Sequence, residues 1–180
     1  MYEFNYHRPA SIDDARKLLT SNDEAKIVAG GMTLLPTMKM RLANPSDLVD
    51  LSSIDGLSGI QDTGDAIEVG AMTIHAAVAA SDVVRSGIPA LAGLADQIGD
   101  AQVRNRGTIG GSIANSDPAA DYPAGVLGLN ATIKTDRREI AADDFFTGMF
   151  ETALEADELI VSVSFPKPAA ACLLYTSDAA

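Results

Sequence analysis

Two glycine pairs constrain this chain more than any other feature of its sequence. Gly30-Gly31 follows a short apolar run and precedes Thr33, and Gly110-Gly111 directly precedes Ser112. Glycine tolerates positive φ angles and lets a ligand approach the backbone closely. Successive backbone N–H groups in such a turn can bind an anion, and the neighbouring hydroxyl adds a donor. Each pair is therefore either a tight turn or one side of a phosphate site.

Neither pair belongs to a common nucleotide-binding motif. No Gly-Lys-Ser/Thr follows, as in a Walker loop, and the spacing is not the Gly-x-Gly-x-x-Gly of a Rossmann turn. Residues 103–117, around the second pair, are rich in Arg, Asn, Gly, Thr and Ser, and we predict irregular backbone there. Such a segment is either a solvated loop or a buried one whose polar groups need a ligand or water. A diphosphate between the two pairs would fit the second case, with Asp121 accepting hydrogen bonds from a ribose.

Apolar periodicity predicts short elements of both kinds, which indicates the α+β class. We predict strands over residues 2–7, 25–29, 48–51, 131–135 and 159–165, a hairpin over 60–71, and helices over 12–19, 74–80 and 89–98. Residues 34–41 fit a turn or a short helix. Ser11, Thr73 and Asp143-Asp144 are predicted to cap helices.

The composition of the 180-residue chain suits one large domain or two small subdomains. A net charge of −12 disfavours a general nucleic-acid binder. The single cysteine, Cys172, cannot ligate an iron–sulfur cluster or zinc alone. His7 and His75 lie in no metal-ligand pattern, so we expect structural or surface roles for both. Because no secretory signal and no apolar run of ~20 residues is visible, we expect a cytoplasmic protein without a membrane span.

Together, the residues around the two pairs resemble a known family. The matching residues are Ala29-Gly30-Gly31-Met32-Thr33-Leu34-Leu35-Pro36, Thr108-Ile109-Gly110-Gly111-Ser112 and Asp117-Pro118-Ala119-Ala120-Asp121. They are similar to the motifs of the FAD-binding medium subunit of molybdenum hydroxylases of the carbon monoxide dehydrogenase and xanthine dehydrogenase type. The resemblance extends over nearly all of residues 1 to 168.

The resemblance implies an FAD-binding domain of the p-cresol methylhydroxylase type. A small N-terminal α/β subdomain would cover residues 1–56, and a larger α+β subdomain would cover residues 57–168. Residues 169–180 fit an irregular tail, and the C-terminal domain of the family is expected to be absent from this chain.

The resemblance also implies which residues hold FAD, without a covalent bond. The diphosphate would be contacted from one side by Ala29, Gly30, Gly31, Met32, Thr33 and Leu34, and from the other by Thr108, Ile109, Gly110, Gly111 and Ser112. Asn115 and Asp117 would extend this site, Asp121 would contact the ribose, and Ile98 and Ile160 would flank the flavin. No side chain receives a catalytic or metal-binding role.

In this family a molybdenum-cofactor large subunit oxidises the organic substrate, and a small subunit with [2Fe-2S] clusters relays the electrons. The expected function of this chain is to bind FAD and pass those electrons to an external acceptor, as an oxidoreductase subunit. Two alternatives stay open: a self-contained FAD-dependent oxidase or dehydrogenase of the same fold, and a flavin-free interaction domain.

Three further expectations concern single side chains. Arg104 and Arg106 either steer the diphosphate or pair at the surface. Met32 and the other methionines near the first pair either pack against a ring or fill gaps. Replacement of both Gly110 and Gly111 by valine is expected to weaken FAD binding and to leave the fold intact.

Overall fold

Residues 1–168 are described by the computed structural model, so the predicted tail and Cys172 lie outside the described residues. The strands are β1 Asn5–His7, β2 Ala25–Val28, β3 Asp47–Asp50, β4 Ile60–Asp62, β5 Ala66–Gly70, β6 Thr132–Thr135, β7 Glu139–Ala141, β8 Phe146–Gly148, β9 Glu151–Thr152 and β10 Ile160–Pro166. The helices are α1 Ile12–Ser21, α2 Leu34–Lys39, α3 His75–Ala80, α4 Asp82–Gly87, α5 Pro89–Gln97, α6 Ala101–Arg104, α7 Ile109–Asn115, α8 Asp121–Gly128 and α9 Ala142–Phe145. The predicted α+β class is confirmed.

A three-stranded parallel sheet, in the order β1-β3-β2, forms the N-terminal part of the molecule. Parallel neighbours need crossover connections, and α1 and α2 supply them. The predicted cap at Ser11 is confirmed, since its Oγ accepts the Asp14 N–H at 3.2 Å. Alternate β3 residues point to opposite faces: Val49 packs with the α1 residue Ala15, whereas Leu48 packs with the α2 residue Met38. The two helices therefore cover the two faces.

A five-stranded antiparallel sheet, in the order β4-β5-β10-β6-β7, organises the rest of the chain. Strand β10 lies at its centre, where Val163 and Phe165 are fully buried. The predicted hairpin is confirmed as β4 and β5, and Gly64 in its turn has a φ of +96°. Helices α3, α5, α7 and α8 contribute to one core with this sheet.

A smaller core cluster joins the two sheets. Leu57 and Leu159 pack with Leu19 of α1 and with residues of the parallel sheet. An ion pair crosses the same boundary, with 3.3 Å between Arg16 Nε and Asp136 Oδ2. These contacts hold the loop after β2 close to the helices of the larger sheet.

The prediction of irregular backbone over residues 103–117 is wrong. Helices α6 and α7 occupy most of that segment. Asp100 caps α6 and Thr108 caps α7 through side-chain oxygens, and the buried side chains of Ile109 and Ile113 lie one turn apart. Capping and burial therefore outweigh the low helix propensity of the glycines.

Two predicted caps are also wrong. The Thr73 hydroxyl does not cap α3 but bonds to both the N–H and the carbonyl of Gly59, at 2.9 and 3.0 Å. Asp143-Asp144 lies inside the first turn of α9, whose N-cap is Ala141. An acidic pair in the first turn still interacts favourably with the helix dipole.

Candidate functional site

The two glycine pairs, far apart in sequence, lie in segments that touch each other. We call residues 29–34 the first glycine segment and residues 107–112 the second. A Cβ at Gly30 would lie 2.7 Å from the Cα of Gly107, and a Cβ at Gly111 would lie 3.4 Å from the Cβ of Ala29. The two backbones can approach this closely because glycine has no side chain at these positions.

A cleft of about 690 Å³ opens along this junction. Its volume lies in the range of small-molecule and cofactor sites. The residues of the predicted site that line it are Ala29, Gly30, Gly31, Met32, Thr33, Leu34, Ile98, Thr108, Gly111, Ser112, Asn115, Asp117 and Asp121. The other three residues of that site are not on the wall: Ile109 and Gly110 are buried in the first turn of α7, and Ile160 lies in the core of the larger sheet.

The first glycine segment offers backbone donors to the cleft. Within residues 1–168, the N–H groups of residues 30–33 donate no hydrogen bond. Gly31 has a φ of +70°, and its carbonyl accepts the N–H of Leu35 at 3.1 Å, which begins α2. Unpaired N–H groups in a partly buried loop are rare without a partner, so this loop suits an anionic ligand.

The second glycine segment offers side chains rather than backbone donors. The N–H groups of Ile109 and Gly110 donate to the carbonyls of Thr73 and Ala71 at 3.1 and 2.8 Å. The Gly111 N–H donates to the Thr108 hydroxyl at 3.1 Å. These backbone groups are already paired, so this side of the cleft presents mainly polar side chains.

Four polar side chains of the predicted site lie on the wall without a hydrogen-bond partner among residues 1–168. They are Thr33, Ser112, Asn115 and Asp121. Asp117 differs, since its carboxylate accepts the N–H of Ala119 at 2.9 Å. Because the free side chains include hydroxyl, amide and carboxylate groups, they suit a ligand that carries both phosphate and hydroxyl oxygens.

The charges near the cleft are mostly acidic. Within the described residues, Lys26 is the only lysine or arginine on the wall, against Asp117 and Asp121. Arg104 does not reach the cleft, because its Nη1 donates to the Ile98 carbonyl at 2.6 Å, and Arg106 is exposed outside it. Within the described residues, neutral donors together with Lys26 would therefore have to hold any phosphate here.

His75 lies on the wall of the cleft, a position that sequence reasoning missed. The residue is buried, and its Nδ1 atom has no hydrogen-bond partner within residues 1–168. Burial lowers its pKa to about 4, although the nearby Asp121 carboxylate opposes this shift. The ring is therefore neutral at pH 7. The signal that could have located it is Gly107, where a Cβ would lie 2.5 Å from the imidazole Nε2.

His7 and the methionines near the first glycine pair lie in different environments. His7 is structural, with its Nε2 atom 2.6 Å from Asp47 Oδ1. Met32 lines the cleft, Met38 is buried in the core under the parallel sheet, and Met40 is exposed.

Residues 1–168 offer neither the side-chain cluster of a metal site nor a helix suited to crossing a membrane. No group of three or more His, Cys, Asp or Glu residues there could hold a metal ion. None of the helices in that part of the chain has the length and apolarity needed to cross a membrane.

Known proteins resemble the chain over almost all of its described length. Residues 2–168 match the family model for the FAD binding domain in molybdopterin dehydrogenase. The chain is 43% identical over 165 residues to the nicotine 6-hydroxylase medium subunit of Paenarthrobacter nicotinovorans, covering 89% of this chain and 58% of that relative. It is 42% identical over 168 residues to the carbon monoxide dehydrogenase medium chain of Hydrogenophaga pseudoflava, covering 91% and 58%.

A solved structure agrees with these relatives. Carbon monoxide dehydrogenase from Hydrogenophaga pseudoflava, in a form that lacks the Mo-pyranopterin moiety, superposes with a TM-score of 0.92 at 42% identity. The match covers 94% of this chain and 61% of that one. The chain thus spans somewhat under two thirds of these relatives. It has the predicted p-cresol methylhydroxylase-type fold, and it belongs to the family of FAD binding domains in molybdopterin dehydrogenases.

Proposed function

We propose that this chain is the FAD-holding part of the electron-transfer subunit of a molybdenum hydroxylase. In this role the subunit receives electrons from the iron–sulfur clusters of a partner subunit and passes them through FAD to an external acceptor. The observation that carries the proposal is the meeting of two glycine segments at a cleft with unpaired polar groups on both sides. FAD, when bound, supplies the redox chemistry, and the protein supplies position and electrostatics.

The residues of the cleft fit the parts of FAD. The unpaired N–H groups of residues 30–33 and the Thr33 hydroxyl suit the diphosphate from one side. Ser112 and Asn115 suit it from the other, and Asp121 suits a ribose hydroxyl. We assign Ile98 to one face of the flavin.

Three residues of the predicted site would support the cofactor from behind the wall. Gly110 and Ile109 would fix the start of α7. Their N–H groups donate to the carbonyls of Ala71 and Thr73, which follow strand β5 of the larger sheet. Ile160 would support the flavin from the core. The binding is non-covalent in this proposal, and no side chain acts as an acid or base.

The proposed partners follow from the relatives, which are medium subunits. We propose that the whole protein assembles with a large subunit carrying the molybdenum cofactor and a small [2Fe-2S] subunit. A cytoplasmic location is part of this proposal, since a chain with one cysteine forms no internal disulfide.

FAD titration of the purified chain tests the proposal. We expect saturable binding by flavin fluorescence and absorbance, with FMN binding much more weakly because it lacks the diphosphate-linked adenosine. Ser112→Ala should weaken FAD binding by roughly tenfold to a hundredfold, the value of about one hydrogen bond to a charged group. Its Tm should hardly change, because that hydroxyl has no partner among residues 1–168.

Ser86→Ala is the matched control for Ser112→Ala. Ser86 is an exposed residue of α4 and bonds only to the local Val83 carbonyl at 3.2 Å, so its replacement should leave FAD affinity unchanged. Bleaching of bound FAD by a substrate of this chain alone would favour the self-contained oxidase instead. Absence of FAD binding, both to this chain and to one extended to the length of its relatives, would favour the flavin-free interaction domain.

A further inference from the structure

The tip of the β8–β9 hairpin holds an aromatic side chain in a strained backbone conformation. Phe150 has a φ of +58°, a left-handed value that is rare for residues other than glycine. Met149 before it has no positive φ. The two residues thus have the φ signs of a type II turn, whose third position favours glycine.

The structure fixes this tip to the helix that begins at the second glycine segment. The Phe150 N–H donates to the Ser116 carbonyl at 2.9 Å. In return the Ser116 hydroxyl donates to the Gly148 carbonyl at 3.2 Å. Ser116 ends α7 and itself has a φ of +47°. Because α7 also holds Ser112 and Asn115, the hairpin tip has a defined position relative to the polar wall of the cleft.

Phe150 belongs to none of the hydrophobic core clusters of residues 1–168. It lines the cleft and remains 57% exposed. Its neighbours in sequence behave differently: Phe145 and Phe146 pack edge to face with 5.0 Å between ring centroids, and Phe145 is fully buried. A left-handed backbone and a solvated aromatic ring both disfavour phenylalanine here, and residues kept in strained conformations cluster at ligand sites.

We propose that Phe150 stacks on a planar ring of the dinucleotide that the cleft holds. The proposal rests on the proposed FAD site and adds a residue that closes the cleft from the hairpin side. Stacking would bury the exposed ring against the isoalloxazine or the adenine, and such aromatic contacts recur where proteins bind planar bases. Phe150 is a binding residue in this view, with no part in proton or electron transfer.

Replacement of Phe150 by glycine separates this role from a structural one, because stability and binding should change in opposite directions. Phe150→Gly relieves the left-handed strain, so Tm should rise by roughly 2–4 °C. The same change should weaken FAD binding by roughly tenfold. Phe150→Leu, which keeps an apolar side chain but no aromatic ring, should weaken binding without raising Tm.

Met149→Ala is the matched control. Met149 is 71% exposed in the same turn and does not line the cleft, so FAD affinity should stay at its original value. Titrations of the unsubstituted chain and the three variants, with FAD and with ADP, complete the set. If Phe150 stacks on the isoalloxazine, Phe150→Gly should increase the fluorescence of the bound flavin and leave the affinity for ADP unchanged. If it stacks on the adenine, ADP binding should fall with FAD binding.

The outcomes distinguish this inference from the proposed function. FAD binding by the unsubstituted chain, together with unchanged affinity and fluorescence in Phe150→Gly, would overturn the assignment of Phe150 alone. An equal loss of affinity in Met149→Ala would also overturn it, because the effect would then belong to the turn and not to the aromatic ring. Absence of FAD binding, both to the unsubstituted chain and to one extended to the length of its relatives, would overturn both the site and the stacking residue.

Discussion

At the scale of single residues, the second glycine pair proves to be a packing requirement. Gly110 illustrates this: a Cβ there would lie 2.6 Å from the Cβ and 2.7 Å from the carbonyl oxygen of Ala71. A Cβ at Gly111 would lie 2.9 Å from the Thr108 hydroxyl that caps α7. The expectation that valine at both positions leaves the fold intact is therefore wrong. The glycines are needed to seat α7, whether or not a diphosphate is bound.

The first prediction at this scale concerns Gly110→Ala. The new Cβ would meet backbone and side-chain atoms of Ala71. We therefore expect the free energy of unfolding to fall by about 1–3 kcal/mol, the usual effect of overpacking. Gly93→Ala is the control: Gly93 lies inside α5, and nothing lies within 4 Å of its added Cβ. That change should stabilise the protein by about 0.5–1 kcal/mol. Urea unfolding measures both, and equal effects of the two changes would contradict the packing role.

At the scale of elements, one buried carboxylate joins the β6–β7 turn to the start of β10. Glu158 is buried, and its two oxygens accept hydrogen bonds from Arg138 Nε at 2.9 Å and Arg138 Nη2 at 2.8 Å. The Thr135 hydroxyl and the Glu155 N–H also donate to it, at 2.8 and 3.0 Å. Arg138 and the other donors lower the pKa of Glu158 to about 2.

The depressed pKa predicts how stability changes with pH. Glu158 has a lower pKa when folded than the usual glutamate value of 4.5, so its contribution to stability is present above about pH 4.5 and is lost as pH falls towards 2. Glu158→Gln should lower the free energy of unfolding by about 2 kcal/mol at pH 7. The difference in this free energy between the variant and the unsubstituted protein, measured by urea unfolding, should become smaller as pH falls from 4.5 towards 2.

Glu139→Gln is the control for this prediction. Glu139 lies on β7 with an exposed carboxylate, 3.9 Å from Lys134. Its replacement should change the free energy of unfolding by less than about 1 kcal/mol, both at pH 7 and at pH 3. A Glu158→Gln effect that is equally large at pH 7 and pH 3 would mean that the residue acts through packing and not through its charge.

The elements also show where sequence reasoning succeeds and where it stops. The strand β5 was predictable, because alternating Ile67 and Val69 point to one buried face. Helices α6 and α7 were not, because glycine and asparagine suggest a loop until their tertiary contacts are known. Tertiary contacts determine local structure here: Gly110 forms a helix turn since its N–H and its missing side chain both fit against Ala71.

At the scale of the whole molecule, the cleft depends on contacts between distant parts of the chain. No periodicity or spacing in the sequence predicts that Gly30 touches Gly107. The family resemblance predicted that the two glycine segments lie close together, because it implied that both bind the same diphosphate. Lys26, His75 and Phe150 were missed because each reaches the wall through a different element. A further interpretation, the division at residues 56 and 57, stays a prediction, although Leu57 belongs to the core cluster between the two sheets.

The net charge of the whole molecule predicts how the rate of FAD association depends on salt concentration. The chain has a net charge of −12, and FAD carries a negative diphosphate, so long-range electrostatics should oppose their encounter. The wall does little to offset this, since among residues 1–168 it offers only Lys26 against two aspartates. Salt shortens the Debye length from about 30 Å at 0.01 M to about 8 Å at 0.15 M. The association rate constant should therefore rise with ionic strength, by stopped-flow fluorescence.

A matched variant sharpens this measurement. Lys26→Gln removes that cation from the wall, so the rate should fall at low salt and recover at high salt, where screening makes the two proteins alike. Asp65→Asn removes one charge from the β4–β5 turn, outside the cleft, and should raise the low-salt rate only slightly. An association rate that falls with salt in the unsubstituted chain would show that a cationic path leads to the cleft. In that case the neutral N–H and hydroxyl donors of the two glycine segments could not be the main attraction for the diphosphate.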